Sequence, residues 1–149
     1  MQQMLILALV VLAGMGQPVQ VAANSELRQA VKSPILSALI SFAVGAIVLL
    51  ALMFCGVLGG RGKPSGIAAA PWWGWIGGFF GAFSVVIAIV ALPRSNVATV
   101  IAFTILGQLL ASIAVDHFGW LRVPQVPING SRVMGAILLT AGAFFIHRK

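Results

Sequence analysis

Gln17, Gln20 and Asn24 step by three and four residues, so on a helix their three carboxamides share one face. A carboxamide both donates and accepts hydrogen bonds, so such a face can hold a polar solute or tie a neighbouring helix. The residues alone leave both readings open. Arg28 extends the face. Pro18 sits among these residues and lacks a backbone N–H, which frees a carbonyl close by. A second series, Thr104, Gln108, Ser112 and Asp116, follows a four-residue step and forms a polar stripe. Asp116 is one of only 2 acids in the chain, and His117 follows it. Burial raises a carboxylate's pKa, so Asp116 could couple to protons. It could equally pair with Arg122 or Arg132 as a structural lock, which is the reading we favour. Glu26, beside Arg28, reads as a solvated or paired surface charge.

Other chemistries lack their residues. No nucleophile–base pair, phosphate-cradling glycine loop or carboxylate dyad occurs, so the chain does not read as an enzyme. His117 and His147 lie far apart in sequence, and the single cysteine, Cys55, sits in an apolar run. Cys55 therefore reads as a small buried hydrophobe. No metal or other cofactor is expected. The net charge of +7 is scattered between apolar runs and at the C-terminus, without a basic stripe interleaved with aromatics. That pattern suits anionic lipid headgroups and excludes nucleic acid as the partner.

The elements that must position these side chains follow from composition. Hydrophobic residues make up 60% of the sequence and charged residues 7%, against about 45–50% and about 25% in a soluble domain. The bilayer is the solvent for most of the chain. A span needs ~20 mostly apolar residues, and segments at about 4–23, 34–58, 71–92, 97–115 and 131–147 qualify. The fifth is the shortest and could begin near Asn129. Connectors rich in turn and breaker residues separate them: "NSELRQAVKS", "GGRGKPSG", "PRSN" and "DHFGWLRVPQVPINGS". In lipid each backbone group must be satisfied within its segment, which favours helices. The fold class expected is an all-α integral membrane protein with five transmembrane helices in one compact bundle. The first segment has a rival reading as a signal peptide, with "VAA" before Asn24 as the cleavage site. Its start, "MQQM", carries no Lys or Arg, so a retained helix is expected.

Two faces read as packing surfaces. Ser33, Ser37, Ser41 and Gly45 repeat every four residues, and Gly74, Gly77, Gly78 and Gly81 form two overlapping small-residue pairs. Such faces let helices approach closely. Trp72, Trp73 and Trp75 open the third span and fit an interfacial belt, although Trp75 could also close a solute cavity. With five spans, Arg61, Lys63, Arg122 and Arg132 share one side, and Arg28, Lys32, Arg94, Arg148 and Lys149 the other. Lys and Arg bias sets orientation, and so even a split barely sets it. We read it as dual insertion, with pairing into an antiparallel homodimer; the alternative is one orientation fixed by other features.

Several blocks together resemble the YdcZ-type five-helix group of the drug/metabolite transporter superfamily. They are "QPVQVAANSELR" (Gln17 to Arg28), "SPILSALISFAVG" (Ser33 to Gly45), "PWWGWIGGFFGAFSVV" (Pro71 to Val86), "GQLLASIAVDHFG" (Gly107 to Gly119) and "SRVMGAILLTAG" (Ser131 to Gly142). The resemblance covers nearly the whole chain in order; one departure is Asn96, near which the group's pattern has a glycine. The resemblance implies one repeat of a ten-helix, inverted-repeat transporter, completed by an antiparallel copy or a related five-helix chain. It implies a small secondary transporter in the bacterial inner membrane, exporting small metabolites or drug-like solutes by alternating access. Its substrate pathway would be lined mainly by the first four helices, with Gln17, Gln20, Asn24, Gln108 and Trp75 as the contacting residues. Related four-helix exporters carry a carboxylate in the first helix, where this chain has Gln17 and Gln20 and no acid. The rival classes are a non-transporting membrane subunit docked on another protein and, less favoured, a channel.

Overall fold

The computed structural model describes residues 2–56 and 66–148. The end of the second expected span at Leu58, and the orienting charges Arg61, Lys63 and Lys149, lie outside the described residues. Five helices follow in order: α1 (Gln2–Val31), α2 (Pro34–Phe54), α3 (Ile76–Ala91), α4 (Val97–Phe118) and α5 (Gly130–His147). A 3-10 turn, Trp72–Trp75, leads into α3 and another, Leu92–Arg94, follows it. All five segments are long and apolar enough to cross a membrane, and at most 11% of each one's most apolar window is buried within the chain. Lipid or another chain must cover the rest.

Helix ends follow local chemistry. Asn96 and Asn129 cap α4 and α5, accepting from the backbone N–H of Thr99 at 2.8 Å and of Arg132 at 2.9 Å. The departure at Asn96 therefore still starts α4 where the hydropathy places it. Ser33 caps α2 through the Leu36 N–H at 3.2 Å. The first connector differs from expectation, because α1 runs on through "NSELRQAV" to Val31. Glu26, Leu27, Arg28, Gln29 and Ala30 are good helix formers, and Gln29 donates to the Glu26 carboxylate at 3.0 Å. The helix stops where Lys32 adopts φ 53 and Pro34 forces Ser33 into extended backbone. Cys55, expected to be buried, is exposed. It sits at the end of α2, beyond which Gly56 turns the chain at φ 70.

Two compact units emerge, and the division falls inside α1 after Gln20. In the unit running from Val21 to Ala91, α2 packs against α3. Ser37 is fully buried and its hydroxyl donates to the Asn24 carbonyl at 2.7 Å. A Cβ at Gly81 would lie 3.7 Å from the Phe42 ring, an ordinary contact, and Ser41 is half-buried. At Gly45, Gly74, Gly77 and Gly78 an added Cβ would meet nothing within 4 Å. Those four positions of the small-residue faces make no close approach among the described residues. Trp72 and Trp75 are exposed, as an interfacial position requires.

In the unit formed by residues up to Gln20 and from Leu92, α4 and α5 pack as an antiparallel pair. Phe103 meets His147 edge-on at 5.9 Å near one end, and Asp116 meets Arg132 at the other. Ala102 and Ala143 are buried, small side chains that permit close helix approach. The chain then folds back on the end of α4. Gly119 closes the helix at φ 63, and the Val126 N–H donates to the Asp116 carbonyl at 2.8 Å. Gln125 donates to the His117 carbonyl at 2.8 Å, and the Ile128 N–H to His117 Nδ1 at 3.2 Å. The last carbonyls of a helix need such partners, above all near a bilayer.

Gly119 at this turn has a left-handed φ of 63, and an added Cβ would lie 3.4 Å from the Gln125 Cβ, an ordinary contact. Gly119→Val should therefore lower unfolding stability by about 1–2 kcal/mol, the usual cost of a left-handed residue with a Cβ. Gly130→Ala, with open space and no positive φ, should be neutral. Denaturant unfolding in detergent compares the two; equal effects would remove the turn from the stability account.

Candidate functional site

The polar stripe of α4 does not act as one surface. Thr104 donates to the Val100 carbonyl at 2.8 Å and Ser112 to the Gln108 carbonyl at 2.7 Å, so both hydroxyls are satisfied inside their own helix. Asp116 is taken by Arg132, with Nη1 3.0 Å from Oδ2. Gln108 is left with its carboxamide to place.

It lines a cavity of about 620 Å³ whose other polar side chain is Gln17. Val10, Ala13, Gly14 and Gln17 occupy one face of α1 at steps of three, one and three, joined by Val11 and Met15. Ile101, Ile105 and Gln108 supply the α4 face at steps of four and three. All these residues belong to the same compact unit. Among the described residues neither carboxamide forms a hydrogen bond. Pro18, inside α1, has no N–H for the Gly14 carbonyl four residues earlier, and Gly14 is itself part of the lining. The cavity thus offers two amphoteric side chains beside apolar walls. Gln17 and Gln108 are themselves exposed, so the cavity is an open groove that can hydrogen-bond a solute and flank its apolar body.

Of the five residues expected to contact solute, the structure brings Gln17 and Gln108 together on this cavity. Gln20 is exposed and outside the lining, being about 60° round the helix from Gln17. Asn24 lies nearly under Gln17 on the helical wheel but about 10 Å further along the axis. It is buried in the other unit, where its carbonyl receives Ser37. Trp75 is 63% exposed in that unit. The sequence reading missed Val10, Gly14, Ile101 and Ile105. Counting back by helical steps from each glutamine would have found them.

A second cavity, of about 680 Å³, runs between α4 and α5 and is lined by apolar side chains and Thr140. The Thr140 hydroxyl already donates to the Ala136 carbonyl at 2.7 Å, so no polar group there is free to recognise a solute. Thr99 Oγ1 is buried without a partner near the start of α4, outside both linings. Among the described residues no three His, Cys, Asp or Glu side chains cluster.

The Asp116–Arg132 pair bridges the end of α4 to the first turn of α5, and Arg132 also donates to the Val126 carbonyl at 3.4 Å. Both side chains are about one third exposed, which limits the pair to about 1 kcal/mol. Asp116→Ala and Arg132→Ala should each lower unfolding stability, and the double variant should lose less than their sum. A double-mutant cycle by denaturant unfolding reads the coupling; strict additivity would show that the pair contributes nothing.

The comparisons with known proteins agree with this architecture. The family model described as "Putative inner membrane exporter, YdcZ" matches residues 5–145. The chain is 29% identical over 150 residues to "Inner membrane protein YdcZ" of Escherichia coli (strain K12), covering 100% of this chain and 99% of that one. No solved structure matches. A match over nearly the full length, on a chain with five candidate spans, places this inner membrane protein in the YdcZ family.

Proposed function

We propose that this protein is a small secondary transporter that exports small, drug-like or metabolite solutes across the inner membrane by alternating access. The observation that carries the reading is the pair Gln17 and Gln108, carboxamides unpartnered among the described residues on one otherwise apolar cavity. Polar groups in a membrane segment are costly, and those without partners are the ones a solute can reward. One chain is equivalent to one repeat, and two chains form the transporter. The near-even split of Lys and Arg across the connectors supports antiparallel pairing. So does the low burial of every span, which leaves broad apolar faces for a partner and lipid. The open glycine face at Gly74, Gly77 and Gly78 is a surface on which a second chain can rock. Asp116 serves as a lock between α4 and α5.

The same low burial supports a second reading, a non-transporting subunit docked on another membrane protein. The two differ in what the glutamines do. In the transporter, Gln17→Leu or Gln108→Leu lowers flux about tenfold or more, the worth of a lost solute hydrogen bond at its upper range, while insertion and assembly persist. In the docking subunit both changes are tolerated. Counterflow of a broad metabolite panel into proteoliposomes decides between them, and a protein that moves nothing under any ion gradient is not a transporter.

Antiparallel pairing has its own readout. Compartment-specific reporters fused to the C-terminus at low expression should show activity on both sides of the membrane. Activity on one side alone would replace the homodimer with an oppositely oriented partner chain.

A further inference from the structure

The lining of the Gln17–Gln108 cavity also restricts the charge of what it can hold. Among the described residues, none in its lining is Asp, Glu, Lys, Arg or His. The sequence has only 2 acids in all. The Glu26 carboxylate accepts from Gln29 at 3.0 Å, and Asp116 is held by Arg132 at 3.0 Å, both outside the cavity. A second copy of the chain would bring the same residue types.

An ion moved from water into apolar surroundings loses its hydration, and a neutral dipole returns only part of that loss. A cation would need a carboxylate in the wall and an anion a Lys or Arg, and the lining supplies neither. A neutral group with a donor on one side and an acceptor on the other fits differently. Each glutamine presents a carbonyl and an NH2, so an amide edge can exchange two hydrogen bonds with one of them. Gly14, whose carbonyl receives no N–H from Pro18, belongs to the same lining. Val10, Met15, Ile101 and Ile105 provide an apolar surface for the remainder of the solute. The volume of about 620 Å³ falls in the usual range for a small-molecule site.

We infer that this cavity binds uncharged solutes with an apolar body and an amide-like edge, and discriminates against cations and anions of the same shape. The inference rests on the reading of the cavity as the solute site.

Benzamide, benzoate and benzamidinium form a suitable probe set, because they share a ring and a planar head of similar size and differ in charge. Binding of each to the full chain in nanodiscs is measured by saturation-transfer NMR titration, with empty nanodiscs subtracting partition into lipid. Benzamide should bind at least about tenfold more tightly than either ion, and Gln17→Leu and Gln108→Leu should each weaken it. Gln17→Glu should improve benzamidinium by supplying the missing carboxylate. Benzamidinium or benzoate binding the unaltered chain as tightly as benzamide overturns the inference, as does binding of none of the three. That result stands apart from the flux assay. Solute movement without charge discrimination leaves the transporter and removes this inference, whereas selective benzamide binding by a chain that moves nothing does the reverse.

Discussion

A polar group in hydrocarbon must be satisfied by its own chain, by a partner or by a solute, and most local features of this protein follow from that demand. Thr104, Ser112 and Thr140 turn their hydroxyls back onto carbonyls of their own helices. Ser37 reaches the Asn24 carbonyl, and the connector after α4 returns to cover the carbonyls of Asp116 and His117. The Asp116 charge meets Arg132. Against this background the carboxamides of Gln17 and Gln108 stand out, since they share a cavity and, among the described residues, bond to nothing.

Pro18 stands inside α1, one residue beyond Gln17 of that cavity. α1 continues through it, because neighbouring turns keep their bonds while the Gly14 carbonyl loses one donor. Had residue 14 carried a side chain, its Cβ would have projected from the face that now leaves the backbone open; around Gly14 nothing lies within 4 Å of that position. A missing donor and a missing side chain thus coincide at the wall nearest Gln17.

The five spans were legible because they rest on a property that adds up over ~20 residues, and local errors in hydropathy average out. The end of α1 was not. "NSELRQAV" is polar enough to read as a connector, yet helix propensity continues until Lys32, Ser33 and Pro34 stop it. Hydropathy reports where lipid ends, and propensity reports where the helix ends; here they differ by about two turns. The lining of the candidate cavity was half legible for a related reason. Period alone correctly places Gln17 and Asn24 on a common face, but a face runs the length of a helix and a cavity occupies two or three turns of it. Which turns oppose α4 depends on helix packing, which a single sequence does not encode in its spacing. Gln108 drew notice only because glutamine is conspicuous in an apolar segment.

The separation of Asp116 from Gln108 bears on how such a protein could be driven. They share the α4 stripe, but eight residues put them about 12 Å apart along the axis, and Asp116 is engaged by Arg132 at the far end of the α4–α5 pair. A carboxylate that exchanged a proton for a solute in the cavity would have to compete with that solute for one site. Asp116 instead competes with nothing in the cavity. Any influence it exerts must pass through the attachment of α5 and the folded-back connector to α4, by loosening or tightening the pair. In the proposed reading, solute recognition by the neutral carboxamides is therefore separate from the Asp116–Arg132 contact between α4 and α5. Coupling between the two would be mechanical, through movement of α4.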